Sequence, residues 1–268
     1  MSRVLLTGGA GALGAAVLRR LLGDPRFEVR VSDVRPLPHW IREGAAVHTG
    51  DLRVAEEART ALAGCRHVIH LAAAEPADAG PFTLLEAAAA RSAAVIHAAL
   101  EEEVARFVYV SSGSVFERAQ VFPTPEEHLA ECPPPRSPEG FAHLAGERLV
   151  RAAGAERGLP FTICRPWDVY GEEADLGATG SAERVLIPTH VDDIAEGILT
   201  AMCSPAGLDE DFNLTGPEEV TGAELARSAG ARRHPTAAKA RRLLGWEARI
   251  GVAEGVRRRS ERGTARDL

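Results

Sequence analysis

The stretch Leu5-Leu6-Thr7-Gly8-Gly9-Ala10-Gly11-Ala12-Leu13-Gly14 follows a short apolar run, opens a helical pattern and decides the fold. Glycines in such a turn let the backbone approach a pyrophosphate, and the first N–H groups of the helix attract its negative charge. Asp33 stands just past the next apolar run, 19 residues beyond Gly14, where a ribose-binding carboxylate belongs. The alternative is a tight turn with an unrelated surface carboxylate. The pattern predicts a dinucleotide site whose contacts are Gly8, Gly11, Ala12, Leu13, Gly14 and Asp33.

Apolar runs alternate with helical patterns along most of the chain, as is typical of βαβ units. We therefore predict an α/β fold, a Rossmann-type doubly wound parallel sheet with a small C-terminal α/β substrate lobe. Residues 1–165 would form the dinucleotide-binding domain, and residues 166–268 the lobe, with interleaved returns to the Rossmann core. Predicted strands cover 3–7, 28–32, 67–71, 106–111 and 161–165, and predicted helices cover 12–22, 55–63, 82–102 and 140–157. Shorter elements are predicted at 191–202, 212–214, 222–228, 236–244 and 252–259, after a proline-rich loop at 121–138.

Charge and composition exclude several classes of function. The net charge of −7 argues against a nucleic-acid partner, whose phosphates require a basic face. No apolar run reaches the roughly 18 to 20 residues of a membrane span, so we expect no membrane partner. The four cysteines lie far apart, without metal-ligand or disulfide-scaffold spacing, so we expect no metal and a reduced, cytoplasmic setting. The expected partner is a small-molecule substrate.

Several motifs beyond the glycine-rich turn resemble one family. The spacing Thr7-Gly8-x-x-Gly11-x-x-Gly14, with the later matches, resembles the extended short-chain dehydrogenase/reductases, the NAD-dependent epimerase/dehydratase family, over nearly the whole chain. The resemblance implies adenine contacts from Asp51 and Leu52 and further cofactor contacts from Leu71, Ala72, Ala73 and Pro166. The matching segments are Gly50-Asp51-Leu52, His70-Leu71-Ala72-Ala73, Ser111-Ser112-Gly113-Ser114-Val115-Phe116, Arg165-Pro166 with Val169-Tyr170-Gly171, and His190-Val191-Asp192-Asp193.

The choice between the two nicotinamide cofactors depends on Asp33 and Arg35. A carboxylate accepts hydrogen bonds from the ribose hydroxyls and repels a 2′-phosphate, so Asp33 favours NAD. Arg35 is two residues further on, within reach of such a phosphate, and its alternative role is a loop cation paired with Asp33 or with solvent. We expect NAD, with NADP possible and Arg35 among the cofactor contacts.

The catalytic residues of the family are only partly present. Family members carry a Tyr and a Lys four residues apart, a Ser, and an upstream Asn. Ser112 matches the Ser, whereas Glu139 stands at the Tyr position and His143 at the Lys position. No Tyr lies between residues 109 and 170, and the chain contains a single Lys and a single Asn, both far from these positions. The resemblance therefore implies an atypical site with Ser112, Glu139 and His143 as catalytic candidates.

Glu139 and His143 allow two interpretations. At positions i and i+4 they share one helical face, where a carboxylate would raise the imidazole pKa and the two would transfer a proton near pH 7. Alternatively, Glu139 is an ordinary first-turn acid and His143 a helix-surface residue. In the first interpretation His143 also contacts the cofactor.

Three functional hypotheses follow. The leading one is an NAD(P)-binding enzyme acting on a sugar or a similar polyhydroxylated metabolite, in which Ser112 polarises a substrate oxygen and Glu139 with His143 moves the proton. The others are a non-redox isomerase, lyase or cyclase on the same fold, and a catalytically silent dinucleotide-binding sensor. Only 18 residues separate Gly171 from His190, where the family's nucleotide-sugar epimerases carry a longer segment, so the resemblance implies a small substrate rather than a nucleotide sugar. The resemblance also implies a possible homodimer through the alanine-rich helices predicted at 82–102 and 140–157.

Overall fold

The fold is built on a parallel sheet, seen in a computed structural model of the chain that describes residues 1–71, 80–171, 185–218, 220–221 and 235–265. The strands are β1 (Ser2–Thr7), β2 (Phe27–Ser32), β3 (Ala46–His48), β4 (His67–Leu71), β5 (Arg106–Val110), β6 (Phe161–Pro166), β7 (Val169–Tyr170), β8 (Val185–Leu186), β9 (Thr189–His190), β10 (Glu210–Leu214) and β11 (Val220–Thr221). Seven of them pair in parallel in the order β10-β6-β5-β4-β1-β2-β3. Two small pairs, β7 with β9 and β8 with β11, lie apart from this sheet.

Helices cover both faces of the sheet. They are α1 (Ala12–Leu22), α2 (His39–Gly44), α3 (Ala55–Leu62), α4 (Pro81–Glu101), α5 (Pro138–Arg157), α6 (Val191–Cys203), α7 (Ala238–Leu244) and α8 (Val252–Ala265). Helices α1 and α6 pack together over one apolar cluster, and α3, α4 and α5 pack over a second. Because both faces are covered, a strand such as β5 is buried along its whole length. The predicted fold class is confirmed.

The strand order reverses between β1 and β4, and this reversal positions the candidate site. From β1 the sheet extends to β2 and β3 on one side, and from β4 it extends to β5, β6 and β10 on the other. Open α/β sheets bind ligands outside the carboxyl ends of their strands at such a reversal. Gly8, Asp33 and Ser112 follow β1, β2 and β5, so the fold brings them to the same edge.

Most predicted elements have a counterpart in the structure. Strands β1, β2, β4, β5 and β6 and helices α1, α3, α4 and α5 correspond to the predicted ones within a few residues. Helix α2 and strand β3 were missed because both are short, at six and three residues, and mostly exposed at the sheet edge. Strand β10 belongs to the predicted C-terminal lobe yet completes the sheet beside β6, and the division at residue 165 stays a prediction. The element predicted at 222–228 lies outside the described residues.

Helix α4 bears on the expectation that no segment spans a membrane. Among the described residues it is long and apolar enough to cross a membrane, by length and composition alone, with 21 residues and a mean hydropathy of 1.2. Such a helix is a weak indication of a membrane span, because core helices pass the same test. Helix α4 packs against α3 and α5 in this fold.

Candidate active site

The glycine-rich turn forms a tight cradle between β1 and α1. Gly8 has a φ of +74°, a left-handed conformation that favours glycine, and its N–H donates to the carbonyl of Ser32. A Cβ on Gly14 would overlap the backbone of Gly8, so only glycine lets the helix start so close to the strand. Gly11 caps α1 without a side-chain acceptor, and Ala12 and Leu13 begin the helix, which leaves its first N–H groups for an anion. This arrangement fits a dinucleotide pyrophosphate.

The carboxylate of Asp33 is fully occupied within the protein. Its Oδ2 accepts hydrogen bonds from the N–H of Ala10 at 2.8 Å and Nη2 of Arg35 at 3.3 Å, and its Oδ1 accepts from the backbone N–H and Nε of Arg35. Burial acts to raise the pKa of Asp33, but these hydrogen bonds outweigh it and lower the pKa. The side chain of Asp33 is 4% exposed and that of Arg35 is 55% exposed, so Arg35 presents its charge to solvent above the acid.

The other predicted cofactor contacts lie along the same edge. Asp51 and Leu52 follow β3, where Asp51 pairs with Arg53 at 2.6 Å and Leu52 is buried. Leu71 ends β4, and its Cβ lies 3.1 Å from the place that a Cβ on Gly8 would take. Pro166 is the last residue of β6. Ala72 and Ala73 lie outside the described residues.

Two neighbouring serines after β5 have different environments. Ser111 is buried and donates from its Oγ to Glu147 at 2.6 Å. Ser112 is partly exposed, and its Oγ accepts from the N–H of Ser114 at 3.1 Å as the cap of a short 3₁₀ turn, Gly113–Phe116. A hydroxyl that accepts in this way keeps its own proton for a ligand oxygen. Ser112 therefore keeps a hydroxyl proton available to a ligand, and Ser111 is committed to the protein interior.

The start of α5 is held against this turn. Ser137 caps the helix, and the carboxylate of Glu117 accepts hydrogen bonds from the N–H of Arg136 and from both the N–H and the Oγ of Ser137. Backbone and side-chain hydrogen bonds from Ser137 lower the pKa of Glu117. Glu117 is thus a brace: it holds the cap residue Ser137 and, through it, the first turn of α5, which contains Glu139.

His143 is buried, which corrects the interpretation of a helix-surface residue. It is 9% exposed, and its Nδ1 is buried without a hydrogen-bond partner. Burial lowers its pKa, although the charges of Glu139 and Glu147 oppose that effect. The carboxylate of Glu139 does act to raise this pKa, as expected, but the loss of solvent is the larger effect and the net shift is downward. Glu139 is exposed, and in the described residues no hydrogen bond joins it to His143.

A buried ionic network, which the sequence did not reveal, fixes the adjacent strands. Arg165 is fully buried and donates to both carboxylate oxygens of Glu147 at 2.8 Å and to Asp211 at 2.7 Å. Burial acts to lower the pKa of Arg165, but these two charges outweigh it and raise the pKa. Lys239 pairs with Asp211 at 2.7 Å. The sequence did contain one indication of this network: Glu147 lies one helical turn beyond His143, on the same face of the helix.

The segment that follows β6 borders the Ser112 turn. The Trp167 ring stacks on Phe116 at 5.9 Å between centroids and lies against the backbone of Gly113. Asp168 has a φ of +38°, and its Oδ2 accepts from the N–H of Ile187, so it ties the residue before β7 to the residue after β8. Trp167 thus fixes the 3₁₀ turn that Ser112 caps. No group of three or more His, Cys, Asp or Glu side chains in the described residues could hold a metal ion.

Comparisons with known proteins match most of this chain. Residues 4–197 match the model of the NAD dependent epimerase/dehydratase family. A putative GDP-L-fucose synthase 2 from Oryza sativa subsp. japonica is 27% identical over 95% of this chain and 85% of its own length. A 3-beta-hydroxysteroid dehydrogenase from Mycolicibacterium neoaurum is 30% identical over 64% of this chain and 48% of its own.

Solved structures of low identity share the fold. The UDP-glucose 4-epimerase of Thermotoga maritima, solved with UDP-glucose, superimposes with a TM-score of 0.85 at 24% identity, covering 99% of this chain and 100% of that one. A short-chain dehydrogenase/reductase superfamily protein from Agrobacterium tumefaciens, solved with bound NAD, gives 0.84 at 22% identity and covers 98% of both chains.

Proposed function

We propose, given that this chain belongs to the NAD dependent epimerase/dehydratase family, that it is an NAD-binding enzyme acting on a hydroxyl-bearing carbon of a sugar or similar polyhydroxylated metabolite. NAD is the cofactor of the family, and when bound it supplies a hydride acceptor or donor. The observation that carries the proposal is the placement of a free Ser112 hydroxyl at the sheet edge that holds the glycine cradle. Asp33, Arg35 and the N-terminus of α1 would hold the cofactor.

The residues in place of the family's Tyr and Lys would move the proton. His143 has a lowered pKa, so at neutral pH it is an uncharged imidazole that can accept a proton through its unpartnered Nδ1. The charges of Glu139 and Glu147, which favour the protonated ring, would stabilise the imidazolium that forms. Ser112 would donate to the substrate oxygen, and His143 would contact the cofactor side of the pocket.

The test is a set of single variants assayed on a panel of sugars, uronates and nucleotide sugars. The readout is nicotinamide absorbance, or transfer of hydride label to the substrate where the reaction is redox-neutral. Ser112→Ala and His143→Gln should each lower turnover by about 10²- to 10⁴-fold. Ser114→Ala is the matched control, because its Oγ is buried and without a partner, and activity should persist. Equal activity in Ser112→Ala and Ser114→Ala would exclude the proposed site.

A nucleotide-linked sugar is the second candidate substrate. The relative that matches 95% of this chain is a putative GDP-L-fucose synthase, and a similar fold was solved with UDP-glucose. The short 18-residue segment between Gly171 and His190 favours the smaller substrate. Turnover of UDP- or GDP-linked sugars with none of the free sugars would decide for the nucleotide.

Experiments on the wild type and its variants also distinguish two further functional classes from the proposed one. Turnover that survives replacement of NAD by a redox-inactive analogue would indicate a non-redox isomerase, lyase or cyclase. Cofactor binding without any activity that depends on Glu139 or His143 would indicate a sensor.

We also propose a cytoplasmic homodimer through α4 and α5, where Phe82 is 85% and Phe141 is 46% exposed. Sedimentation of wild type and Phe82→Glu measures that association.

A further inference from the structure

The indole of Trp167 lies directly against the 3₁₀ turn that Ser112 caps. Its ring stacks on Phe116 with the two planes 16° apart. A Cβ on Gly113 would overlap the indole, so the ring and the backbone of the turn are in contact. Because Ser112 caps this same four-residue turn, a movement of the indole would displace the Ser112 hydroxyl.

Two neighbouring residues of β10 hold Trp167 in place. The carbonyl of Leu214 accepts from the backbone N–H of Trp167 at 3.0 Å, and Oδ1 of Asn213 accepts a long hydrogen bond from the indole Nε1 at 3.4 Å. The first contact needs only backbone groups, whereas the second depends on the amide side chain. Asn213 is fully buried and is the single asparagine of the chain. Its side chain is therefore the group that orients the indole ring.

The direction of the Asn213 amide is fixed from its other side. Nδ2 donates to the carbonyl of Thr124 at 3.2 Å, and because a carbonyl can only accept, the amide oxygen has to face Trp167. The backbone N–H of Asn213 donates to Oε1 of the buried Glu126 at 2.8 Å. Both partners belong to the loop between the Ser112 turn and α5, so this loop, β10 and Trp167 share one set of hydrogen bonds.

We propose that Asn213 is a positioning residue, which sets the Ser112 hydroxyl through Trp167 and Gly113. The proposal rests on the proposed function, since it concerns how accurately Ser112 meets a substrate oxygen. A displacement of about 1 Å at a reacting group can lower turnover by about 10²-fold. Loss of the amide should therefore lower kcat more than it changes KM.

The experiment combines amide hydrogen exchange with kinetics on the purified full chain. The N–H of Ser114 donates to Oγ of Ser112, so its exchange reports whether the turn keeps its shape. Asn213→Ala should speed this exchange by about tenfold, because the turn opens more easily. Trp167→Phe, which keeps an aromatic ring but removes the indole N–H, should do the same and carries the test if Asn213→Ala does not fold. On the substrate found for wild type, each variant should lower kcat by about tenfold and keep KM within about twofold.

Two further proteins separate positioning from a general loss of stability. Trp246→Phe is the matched control, because it removes another indole N–H, which donates to the carbonyl of Asp193 on α6 at 3.1 Å. Its kcat and its exchange at Ser114 should stay at the wild-type values. The double variant Asn213→Ala with Trp167→Phe should lose no more kcat than the worse single variant, because both changes remove the same contact.

Several results would overturn the proposal. Faster exchange throughout the chain in Asn213→Ala, rather than at the turn, would give Asn213 a purely structural role. Unchanged kcat in both single variants, or losses that multiply in the double variant, would also exclude it. If wild type turns over no substrate of the panel while Asn213→Ala still speeds exchange at Ser114, the proposed function fails and the contact from Asn213 to the turn stands. If that exchange is also unchanged, both fail.

Discussion

Acidification should destabilise this protein through His70, which is buried in β4. Its Nδ1 lies 2.9 Å from Oγ1 of Thr7, and its Nε2 lies 3.4 Å from Oγ of Ser92. Burial lowers its pKa to about 3, and the charges of Arg91 and His143 act in the same direction. The folded protein therefore keeps this ring neutral at pH 5, where an unfolded histidine, with a pKa near 6.5, is protonated.

The sign and size follow from proton linkage. Below pH 6.5 the unfolded state binds a proton that the folded state does not, so stability falls as the pH falls. Between pH 7 and pH 5 this difference amounts to about 2 kcal/mol from one histidine. Domains of this kind have unfolding free energies of about 5–15 kcal/mol, so the change is large enough to measure.

The assay is urea unfolding at pH 7 and pH 5, followed by circular dichroism, for wild type and His70→Asn. The amide of Asn can still form a hydrogen bond with the Thr7 hydroxyl, although we expect the variant to have a lower free energy of unfolding at both pH values. Because the amide does not titrate, the variant should lose about 2 kcal/mol less than wild type between pH 7 and pH 5. Other titrating groups are common to both proteins and cancel. His97→Asn, on the exposed surface of α4, should keep the wild-type pH dependence. Equal losses in wild type and His70→Asn would refute the burial argument.

Three further outcomes test the cradle, the ionic network and the brace. Gly11→Ala should keep the melting temperature, because the added Cβ has only ordinary contacts within the protein, but it should lose NADH binding at the cradle. Gly14→Ala should lower the melting temperature, because its Cβ would collide with the backbone of Gly8. Glu147→Gln should lower the unfolding free energy by about 3–5 kcal/mol in urea, because it leaves the buried Arg165 under-compensated; a loss below about 1 kcal/mol would contradict this. Glu117→Ala should lower the melting temperature by a few degrees and reduce turnover, by loosening the start of α5; unchanged turnover would show that the brace does not position the site.

Local patterns in the sequence determined the fold class and the cofactor turn. Continuous apolar runs in buried parallel strands, the 3.6-residue period of helices and the glycine spacing of the first turn are all local patterns that extend over a few residues. They therefore predicted β1, α1 and the position of Gly14, whose close approach to the turn the structure contains. Short edge elements such as α2 carry too few residues for a helical period to emerge.

Only the tertiary structure decided the electrostatic character of the site. The sequence placed Glu139 and His143 one turn apart, but their relative effects depend on how much water each retains, and His143 proved to be buried. It placed Asp33 and Arg35 two residues apart, but not which of the two would face the solvent. Desolvation and long-range pairing arise from contacts between segments distant in the chain, so a local pattern carries no information about them.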